Sequence, residues 1–485
     1  MQHITVQGQR FVDEQGRERI FHGINLKCDS ASVREEPPFG RLALLDEEFF
    51  RRSETLGFGL LRLGINWEDI EPEKGRYNEV YLQKVDEIFD LAGKYGMYVF
   101  IDMHQDLYSS FGNGKGGGNG MPLWACAPDG YETKPAKKVW AEGYFWGKAV
   151  QRSFDHFWNN DPVLGKGLLE HFAEAWQTLA RRYGDHPAFF GFDLLNEPYP
   201  GTPGGRVFRK LVGKLVRVLA VSPTVSRIEF LKNALCKETR GRALEVLSPA
   251  VMDKVTRAAW DLVRQFDLER YTPFVARMQG ALREVTQNGV LMVEHCYYSN
   301  LGIPFSATLP EGESNACYTP HGYDFFVDTP LYKYASNARV GFIFEESRRA
   351  QQRLNVPVIV SEWGGGGEGE DFFPHIKFMM DLFDSFNWSN TYFAYRKEFY
   401  DKPLPRVISR PYPMAVNGVL EKFKVDTEAK TFTLWYTPGE ADLPTEIYLP
   451  DGYESVDAGE GAEVTLEGHA LRVCTRTGKL VVKYR

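Results

Sequence analysis

The chain has 485 residues, enough for one large domain and a small one or for three ordinary domains, which excludes a peptide-sized or disulfide-stapled protein. Apolar residues make up 43% of the chain and aromatic residues 14%, a composition typical of a folded globular protein rather than a disordered tail. The formal charge of −8 gives no overall basic surface for a polyanion, so nucleic acid is excluded as a partner.

The six cysteines are spread singly, without a C-x-x-C pair or a histidine at zinc-finger spacing, and we interpret them as thiols. The first residues lack the basic and apolar regions of a signal peptide, and nothing later offers 18 uninterrupted apolar residues. We expect a soluble protein that is cytoplasmic as given, or secreted if a signal peptide has been removed.

In chain order, residues 5–19 predict a β-hairpin, with Gly8 interrupting its first arm and residues 13–16 forming its turn. Helical patterns at 80–95 and 168–183 have apolar positions three and four residues apart. Short β-rich runs alternate with such patterns; they cover 20–27, 59–66, 97–104, 189–197, 290–296, 316–321, 356–362 and 391–396.

Eight strands alternating with helices predict an α/β fold, a (β/α)8 or TIM barrel, whose bottom the hairpin could close. His104, Glu197, His321 and Glu362 all lie at the carboxyl ends of predicted strands, where such barrels place their active sites. From about residue 410 the pattern changes to period-two strands. We therefore predict a catalytic barrel over 1–409 and an antiparallel β-sandwich over 410–485.

A helical insertion is predicted at about 200–258, and within it residues 206–257 contain 12 Lys or Arg against four Asp or Glu. Residues 207–219 form a basic amphipathic pattern. The ordinary interpretation is a helix packed on the barrel with its Lys and Arg in water. The alternative is a helix that makes transient contact with an anionic membrane surface.

Two glutamates end apolar strands: Glu197 within Asn-Glu-Pro and Glu362 within Glu-Trp-Gly. Either alone could be a salt-bridged residue at the barrel rim, but a matched pair fits glycoside hydrolysis, which needs one protonated and one ionised carboxyl group. Asn196, beside the first glutamate, could hydrogen-bond a sugar 2-hydroxyl. His321 could bind substrate or be a rim histidine with its hydrogen bonds satisfied, and both interpretations stay open.

These motifs resemble those of glycoside hydrolase family 5. The resemblance implies that Glu197 is the acid/base, that Glu362 is the nucleophile, and that the configuration is retained. It also implies that Tyr323 donates a hydrogen bond to Glu362.

Further motifs are similar to those of endoglycoceramidases and their relatives, which cleave the β-glycosidic bond between a glycan and ceramide; they lie at 102–106, 112–120, 121–125, 154–159 and 410–413. By that resemblance Lys27, His104, Asp106 and Trp140 contact the first sugar. The substrate is then a glycolipid or a small glycoside. An exo-acting β-glucosidase or β-glucosylceramidase is the alternative, and a non-catalytic binder is a rival that the paired glutamates argue against.

The sequence departs from the family at the eighth strand, where the usual Trp platform is absent and Phe393 or Tyr395 could replace it. A lipid aglycone predicts an apolar groove beside Glu197; the candidates are Phe145, Trp146, Phe154, Trp158, Leu211, Leu215 and Val216, although Phe154 and Trp158 fit ordinary core packing better. No third ligand accompanies the His-x-Asp pair at 104–106, so we expect no metal. We also expect no cofactor and a monomer.

Overall fold

The computed structural model describes residues 1–28, 39–112, 117–137, 139–221, 226–236, 240–327, 331–365, 369–439 and 442–485. Residues 113–116, within the motif at 112–120, and residues 366–368, which follow Glu362 closely, lie outside the described residues. Residues 222–225 and 237–239 of the basic segment lie outside them as well.

The larger domain is a closed parallel barrel. Three N-terminal strands precede it: β1 (Ile4–Gln7), β2 (Arg10–Asp13) and β3 (Glu18–Arg19). The barrel strands are β4 (His22–Leu26), β5 (Leu60–Asn66), β6 (Tyr98–His104), β9 (Phe189–Asp193), β10 (Val290–Val293), β11 (Ala316–Tyr318), β12 (His321–Gly322), β13 (Ile359–Gly364) and β14 (Ser389–Tyr395). Between β6 and β9 lies a short ribbon of β7 (Pro162–Val163) and β8 (Lys166–Gly167). The sheet runs β11-β10-β9-β6-β5-β4-β14-β13-β12. A parallel bridge from Tyr318 to Val358 closes it, which confirms the predicted barrel.

The sixth barrel strand is split into β11 and β12. Pro320 lies between the two pieces, and it has no N–H to donate to a strand ladder. β12 nevertheless continues the barrel strand begun by β11, because His321 is in parallel register with Glu362 of β13. This register brings a buried histidine and the second candidate glutamate to the same level of the barrel mouth.

Helices cover the outside of the barrel. They are α1 (Glu47–Thr55), α2 (Trp67–Ile70), α3 (Glu79–Lys94), α4 (Glu142–Trp146), α5 (Lys148–Trp158), α6 (Leu168–Tyr183), α7 (Thr202–Val221), α8 (Arg227–Leu235), α9 (Pro249–Arg257), α10 (Trp260–Phe266), α11 (Thr272–Arg283), α12 (Asn337–Leu354), α13 (Phe373–Ser385) and α14 (Leu404–Ile408). A π-helical turn at Asp267–Tyr271 joins α10 to α11. The helical periodicity predicted α3 and α6 to within one residue.

The N-terminal strands close the bottom of the barrel, as expected. Phe11 packs edge-on against Phe21 and Phe190, with ring centroids 6.1 and 5.5 Å apart. The prediction for Gly8 is wrong: with φ of +59° it lies in the tight turn between β1 and β2, a conformation that favours glycine, and it interrupts no strand. β3 also pairs with the second domain, an arrangement that the sequence did not predict.

The second domain is the predicted antiparallel sandwich. Its strands are β15 (Tyr412–Val416), β16 (Gly418–Asp426), β17 (Thr431–Pro438), β18 (Thr445–Tyr448), β19 (Tyr453–Asp457), β20 (Glu463–Glu467), β21 (Ala470–Cys474) and β22 (Lys479–Tyr484). One sheet runs β1-β2-β3-β15-β18-β21-β20 and the other β16-β17-β22-β19. The first strands of the chain therefore tie the barrel to the sandwich. The domain boundary at 409/410 stays a prediction.

The insertion after the fourth barrel strand is helical. α7 packs against α4, α5 and α9, but its buried residues all lie in its first half, at Gly204, Gly205, Val207 and Leu211. The packed first half fits the ordinary interpretation of this helix. In the described part of the chain, none of the helices combines the length and apolar character needed to cross a membrane.

Candidate active site

Glu197 lies just beyond β9, where the chain has left the strand ladder. Its backbone φ of +43° falls in the left-handed region, which is rare for a residue other than glycine and costs energy. The Glu197 amide donates to Glu294 Oε2 over 2.8 Å, and the Asn196 amide donates to Met103 O over 3.1 Å. Neighbouring strand ends thus hold a strained turn that points the acid into the barrel mouth.

The Glu197 carboxyl group is nearly buried and accepts two hydrogen bonds on Oε1. Asn300 Nδ2 donates over 2.5 Å and His321 Nδ1 lies 3.1 Å away. Burial raises the pKa of Glu197, and the positive charge of His321 opposes that rise only in part. The negative charges of Glu362 and Asp106 raise it further, so this group is held toward its protonated form.

Glu362, in β13, is surrounded by donors. Arg62 Nη1 hydrogen-bonds its Oε1, and the Tyr323 hydroxyl donates to its Oε2 over 2.8 Å. Burial alone would raise its pKa, but the positive charges of His321 and Arg62 outweigh that effect. Smaller contributions come from His104 and the Tyr323 hydrogen bond, and the resulting pKa of Glu362 is about 2.

His321 lies between the two candidate acids and is fully buried. Its Nε2 is 2.5 Å from Glu294 Oε1, while its Nδ1 faces Glu197 at 3.1 Å and Glu362 Oε2 at 3.7 Å. Burial would lower the pKa of His321, yet the surrounding carboxylates, Glu294 foremost, raise it well above its usual value. This contact with both acids was not among the two interpretations of His321, substrate binding or a rim histidine with its hydrogen bonds satisfied, and the choice between those two stays open.

Ligand atoms of Glu197, His321 and Glu362 lie within 4.8 Å of one another, a spacing that a metal ion could use. The donor set fits an ion poorly, because both ring nitrogens of His321 face carboxylates and the raised pKa makes the ring an imidazolium, which has no lone pair to offer. The expectation of no metal stays a prediction.

The distance between the carboxyl groups of Glu197 and Glu362 also determines whether the pair suits a retaining or an inverting mechanism. Carboxyl groups about 5 Å apart suit a retaining glycosidase, whereas an inverting one needs about 6.5–9.5 Å to admit a water. With an oxygen of Glu197 within 4.8 Å of one of Glu362, the pair fits direct attack by one carboxylate on a sugar held against the other.

Arg62, in the middle of β5, is a site residue that the sequence reasoning missed. The guanidinium is fully buried; it lies 3.1 Å from Asp193 and 3.2 Å from Asp102, and it donates to Asn196 Oδ1 over 2.8 Å. Glu294 and Asn300 were missed too. A signal existed for two of them, since Arg62 interrupts the apolar run Leu-Leu-Arg-Leu and Glu294 ends the run Val-Leu-Met-Val.

His104 and Asp106 lie where the third predicted strand ends. His104 Nδ1 is 2.6 Å from Asp102 Oδ2, and its Nε2 is 3.6 Å from Asp106 Oδ2. Burial would lower the pKa of His104, but these two carboxylates raise it to about 10. The resulting cation contributes to the ionised state of Glu362.

The remaining predicted sugar contacts are Lys27, Trp140 and Asn196. Lys27 directly follows β4, and Trp140 precedes α4, edge-on to Tyr144 with ring centroids 6.0 Å apart. Among the described residues, neither one hydrogen-bonds Glu197 or Glu362. Asn196 does reach the centre of the site, through Arg62 on its Oδ1 and Gln105 O on its Nδ2.

The structure separates the two candidates for the missing Trp platform. Tyr395 packs against Phe49 and Tyr400 and belongs to the core, so the alternative that placed it in the cleft is wrong. Phe393 is partly exposed and lies edge-on to Tyr323, with centroids 6.4 Å apart. Since Tyr323 contacts Glu362, Phe393 stays the candidate that could replace the Trp platform.

An aromatic path leads from Glu197 toward the surface. Tyr297, whose amide bonds Pro198 O, lies 6.4 Å from Phe145; Phe145 stacks on Phe208 at 4.2 Å, and Phe208 meets Trp146 at 5.1 Å. Trp146 is 59% exposed.

The other groove candidates divide between surface and core. Phe154 and Trp158 lie in the core, which fits the interpretation of ordinary packing, and Leu211 is buried as well. Leu215 is partly buried, whereas Val216 is exposed.

Comparison with known proteins agrees with this geometry. The chain matches the model described as cellulase (glycosyl hydrolase family 5) over residues 12–225 and 251–398, and the family 5 C-terminal domain over 410–485. It is 31% identical over 224 residues to an endoglycoceramidase of Cyanea nozakii, an alignment covering 41% of this chain and 42% of that protein. It is 25% identical to endoglycoceramidase I of Rhodococcus hoagii over 485 residues, covering 94% and 83%.

Among solved structures, endo-glycoceramidase II from Rhodococcus sp. in complex with ganglioside GM3 superposes with a TM-score of 0.70 at 24% identity, covering 99% of this chain and all of that one. That likeness supports the barrel-and-sandwich fold. The family model matches well over half of the chain and includes both candidate acids. The chain therefore belongs to glycosyl hydrolase family 5.

Proposed function

We propose that the chain is a retaining β-glycoside hydrolase that cleaves the bond between the sugar and the ceramide of glycosphingolipids. The observation that carries the proposal is the pair Glu197 and Glu362, with oxygens within 4.8 Å of one another and pKa values shifted in opposite directions. The endoglycoceramidases among its relatives support the lipid substrate.

In the first step, the ionised Glu362 attacks the anomeric carbon while Glu197 gives its proton to the glycosidic oxygen, which leaves with ceramide as an alcohol. Covalent attachment to the sugar removes the negative charge of Glu362. That charge is one of the causes of the raised pKa of Glu197, so the pKa of Glu197 falls once the intermediate has formed.

In the second step, Glu197 is ionised and acts as the base. It takes a proton from the water that attacks the intermediate, and this attack releases the sugar with its original configuration. The change of role thus follows from the loss of one neighbouring charge. Arg62 and His321 meanwhile stabilise Glu362 as the departing carboxylate.

The aglycone leaves on the side of Glu197, where the path from Tyr297 to Trp146 offers an apolar surface for hydrocarbon. Aromatic rings can also stack on sugars, so the path alone does not select the aglycone. Together with the endoglycoceramidases among the relatives, it supports a lipid aglycone.

Product analysis tests the proposal. Purified protein is incubated with lactosylceramide and, in parallel, with glucosylceramide, next to Glu362→Gln and to Glu460→Gln, an exposed glutamate of the sandwich. Intact lactose and ceramide are expected, and proton NMR should show the β anomer as the first-formed product. Glucose from glucosylceramide alone would establish the exo-acting alternative, and a first-formed α anomer would overturn retention.

A further inference from the structure

Two consecutive helices of the basic insertion expose apolar side chains, and we call these exposed residues of α7 and α8 the α7–α8 face. α8 exposes Ile228, Leu231 and Leu235, with 83%, 56% and 86% of each residue accessible to solvent. These positions are spaced three and four residues apart and share one side of the helix. α7 adds Val216 and Val221, exposed by 59% and 69%.

Such a stripe on a helix of a globular protein normally packs on the core. Because burying an aliphatic side chain stabilises a protein, a cluster of them left in water calls for a partner. The stripe on α8 belongs to residues 226–250, which the family model passes over. This face is consequently an addition to the shared barrel.

Positive charge accompanies the apolar residues. Arg206, Arg209, Lys210 and Arg217 are exposed along the outer side of α7. Glu229 is the acidic residue of α8, Asp253 that of α9 and Asp261 that of α10, and Asp261 lies 3.7 Å from Lys210 Nζ. Since residues 206–257 carry 12 basic side chains against four acidic ones in a chain of net charge −8, the charge is concentrated here.

The face adjoins the aromatic path. Phe208, which stacks on Phe145 and meets Trp146, lies on α7 in the same helix as the exposed arginines and valines. α7 begins five residues after Glu197. The exposed arginines and valines of α7 thus lie on the helix that also supplies Phe208 to the aromatic path.

We propose that the α7–α8 face docks on an anionic lipid bilayer and thereby positions the aromatic path over the membrane that holds the substrate. Aliphatic residues beside Lys and Arg, with an exposed Trp nearby, are typical of helices that lie in a membrane interface. A second copy of this chain would bring like charges together, which disfavours self-association. The idea that docking brings the enzyme to a membrane-bound glycolipid rests on the proposed function, whereas the binding of this face to a bilayer does not.

Vesicle sedimentation tests the docking without substrate. The full chain is mixed with vesicles of phosphatidylcholine alone and with vesicles containing phosphatidylserine, and binding is expected to the anionic vesicles, weakened by salt. Leu235→Glu and the double variant Arg209→Glu with Arg217→Glu should each reduce binding about tenfold. The matched controls Leu164→Glu and Lys424→Glu are equally exposed and lie elsewhere, and they should bind like the parent.

Two activity readouts separate docking from catalysis. Leu235→Glu should lose hydrolysis of glycolipid in anionic vesicles and keep the parental rate on a water-soluble aryl β-glycoside. Equal binding to both kinds of vesicle, or none to either, would overturn the proposal. So would a parent that sediments as a dimer in analytical ultracentrifugation while Leu235→Glu is a monomer. A parent that binds anionic vesicles but leaves glycosphingolipid intact would sustain docking and overturn the proposed substrate alone.

Discussion

Glu197 and Glu362 share one pocket, yet their surroundings differ. Glu362 has the guanidinium of Arg62 and the hydroxyl of Tyr323 bound to its two oxygens. Glu197 receives an uncharged amide from Asn300 and a longer contact from His321. The pKa values of two equally buried carboxyl groups are therefore shifted in opposite directions: His321 lowers both, Arg62 and His104 lower that of Glu362 further, and the negative charges of Glu362 and Asp106 raise that of Glu197.

The comparison shows that the chemical role of each glutamate is set by the charged groups beside it and not by its position at a strand end. Both glutamates end a barrel strand, and burial would raise the pKa of each. Arg62, a long side chain from β5, hydrogen-bonds Glu362 and is second to His321 among the groups that lower its pKa. Substituting either glutamate or one of its neighbours should change this difference in pKa, and the effect on activity should match the role of the glutamate concerned.

Glu362→Gln should have the largest effect, a loss of kcat on the order of 10⁴-fold or more, because no other group can attack the anomeric carbon. The loss should be equal for glycolipid and for an aryl glycoside with an acidic leaving group, since both need the nucleophile. Steady-state rates on the two substrates check this. A variant that kept fast hydrolysis of the aryl substrate would assign attack to another residue.

Glu197→Gln should be selective. Hydrolysis of glycolipid should fall about 10²- to 10⁴-fold because the alkoxide of ceramide needs a proton to leave. A dinitrophenyl β-glycoside needs none, so its first step should survive and pre-steady-state measurement should show a burst of dinitrophenol. An equal loss on both substrates would argue against the acid/base role.

The same pair predicts the pH profile of kcat/KM. The acid limb belongs to Glu362, with a pKa of about 2, and activity is lost as the pH falls through it. The alkaline limb belongs to Glu197, whose raised pKa preserves the acid above the usual range of a glutamate. In Glu197→Gln the alkaline limb should vanish while the acid limb stays. If the alkaline limb persisted in this variant, a group other than Glu197 would be responsible for it.

Much of the fold could be predicted from the sequence because each barrel strand is a short apolar run that ends in a polar residue. The two acids were identifiable for the same reason, since a carboxylate at the end of a buried strand is costly unless it is used or paired. The period-two pattern after residue 410 likewise predicted the sandwich.

Other features depend on contacts distant in the chain. The pairing of β3 with β15 joins residues about 400 positions apart, and no local pattern reports it. Glu294 acts through His321 and the Glu197 amide, which only the closed barrel brings together. The exposure of the α8 stripe was hidden too, because an apolar period looks the same whether a helix face is buried or bare.

Glu294→Gln should have a smaller effect, with kcat lowered about 10- to 100-fold, since a charged hydrogen-bond partner of His321 is lost. Without this carboxylate the pKa of His321 falls, the cation beside Glu362 weakens, and the acid limb moves to higher pH. The matched control is Glu313→Gln, a buried glutamate paired with Arg283 away from the site. A purely structural role would lower stability in both variants and leave the acid limb in place.

Tyr323→Phe should have the smallest effect, a decrease in kcat of about tenfold, because one hydroxyl donor to Glu362 is removed and the cations His321, Arg62 and His104 remain. The pKa of Glu362 should rise from about 2 toward its ordinary value, so the acid limb again moves to higher pH. Tyr183→Phe, whose hydroxyl bonds Leu82 O outside the site, is the control. An unshifted limb in Tyr323→Phe would mean that Arg62 and His321 suffice, and the asymmetry between the two acids would then be purely one of charge.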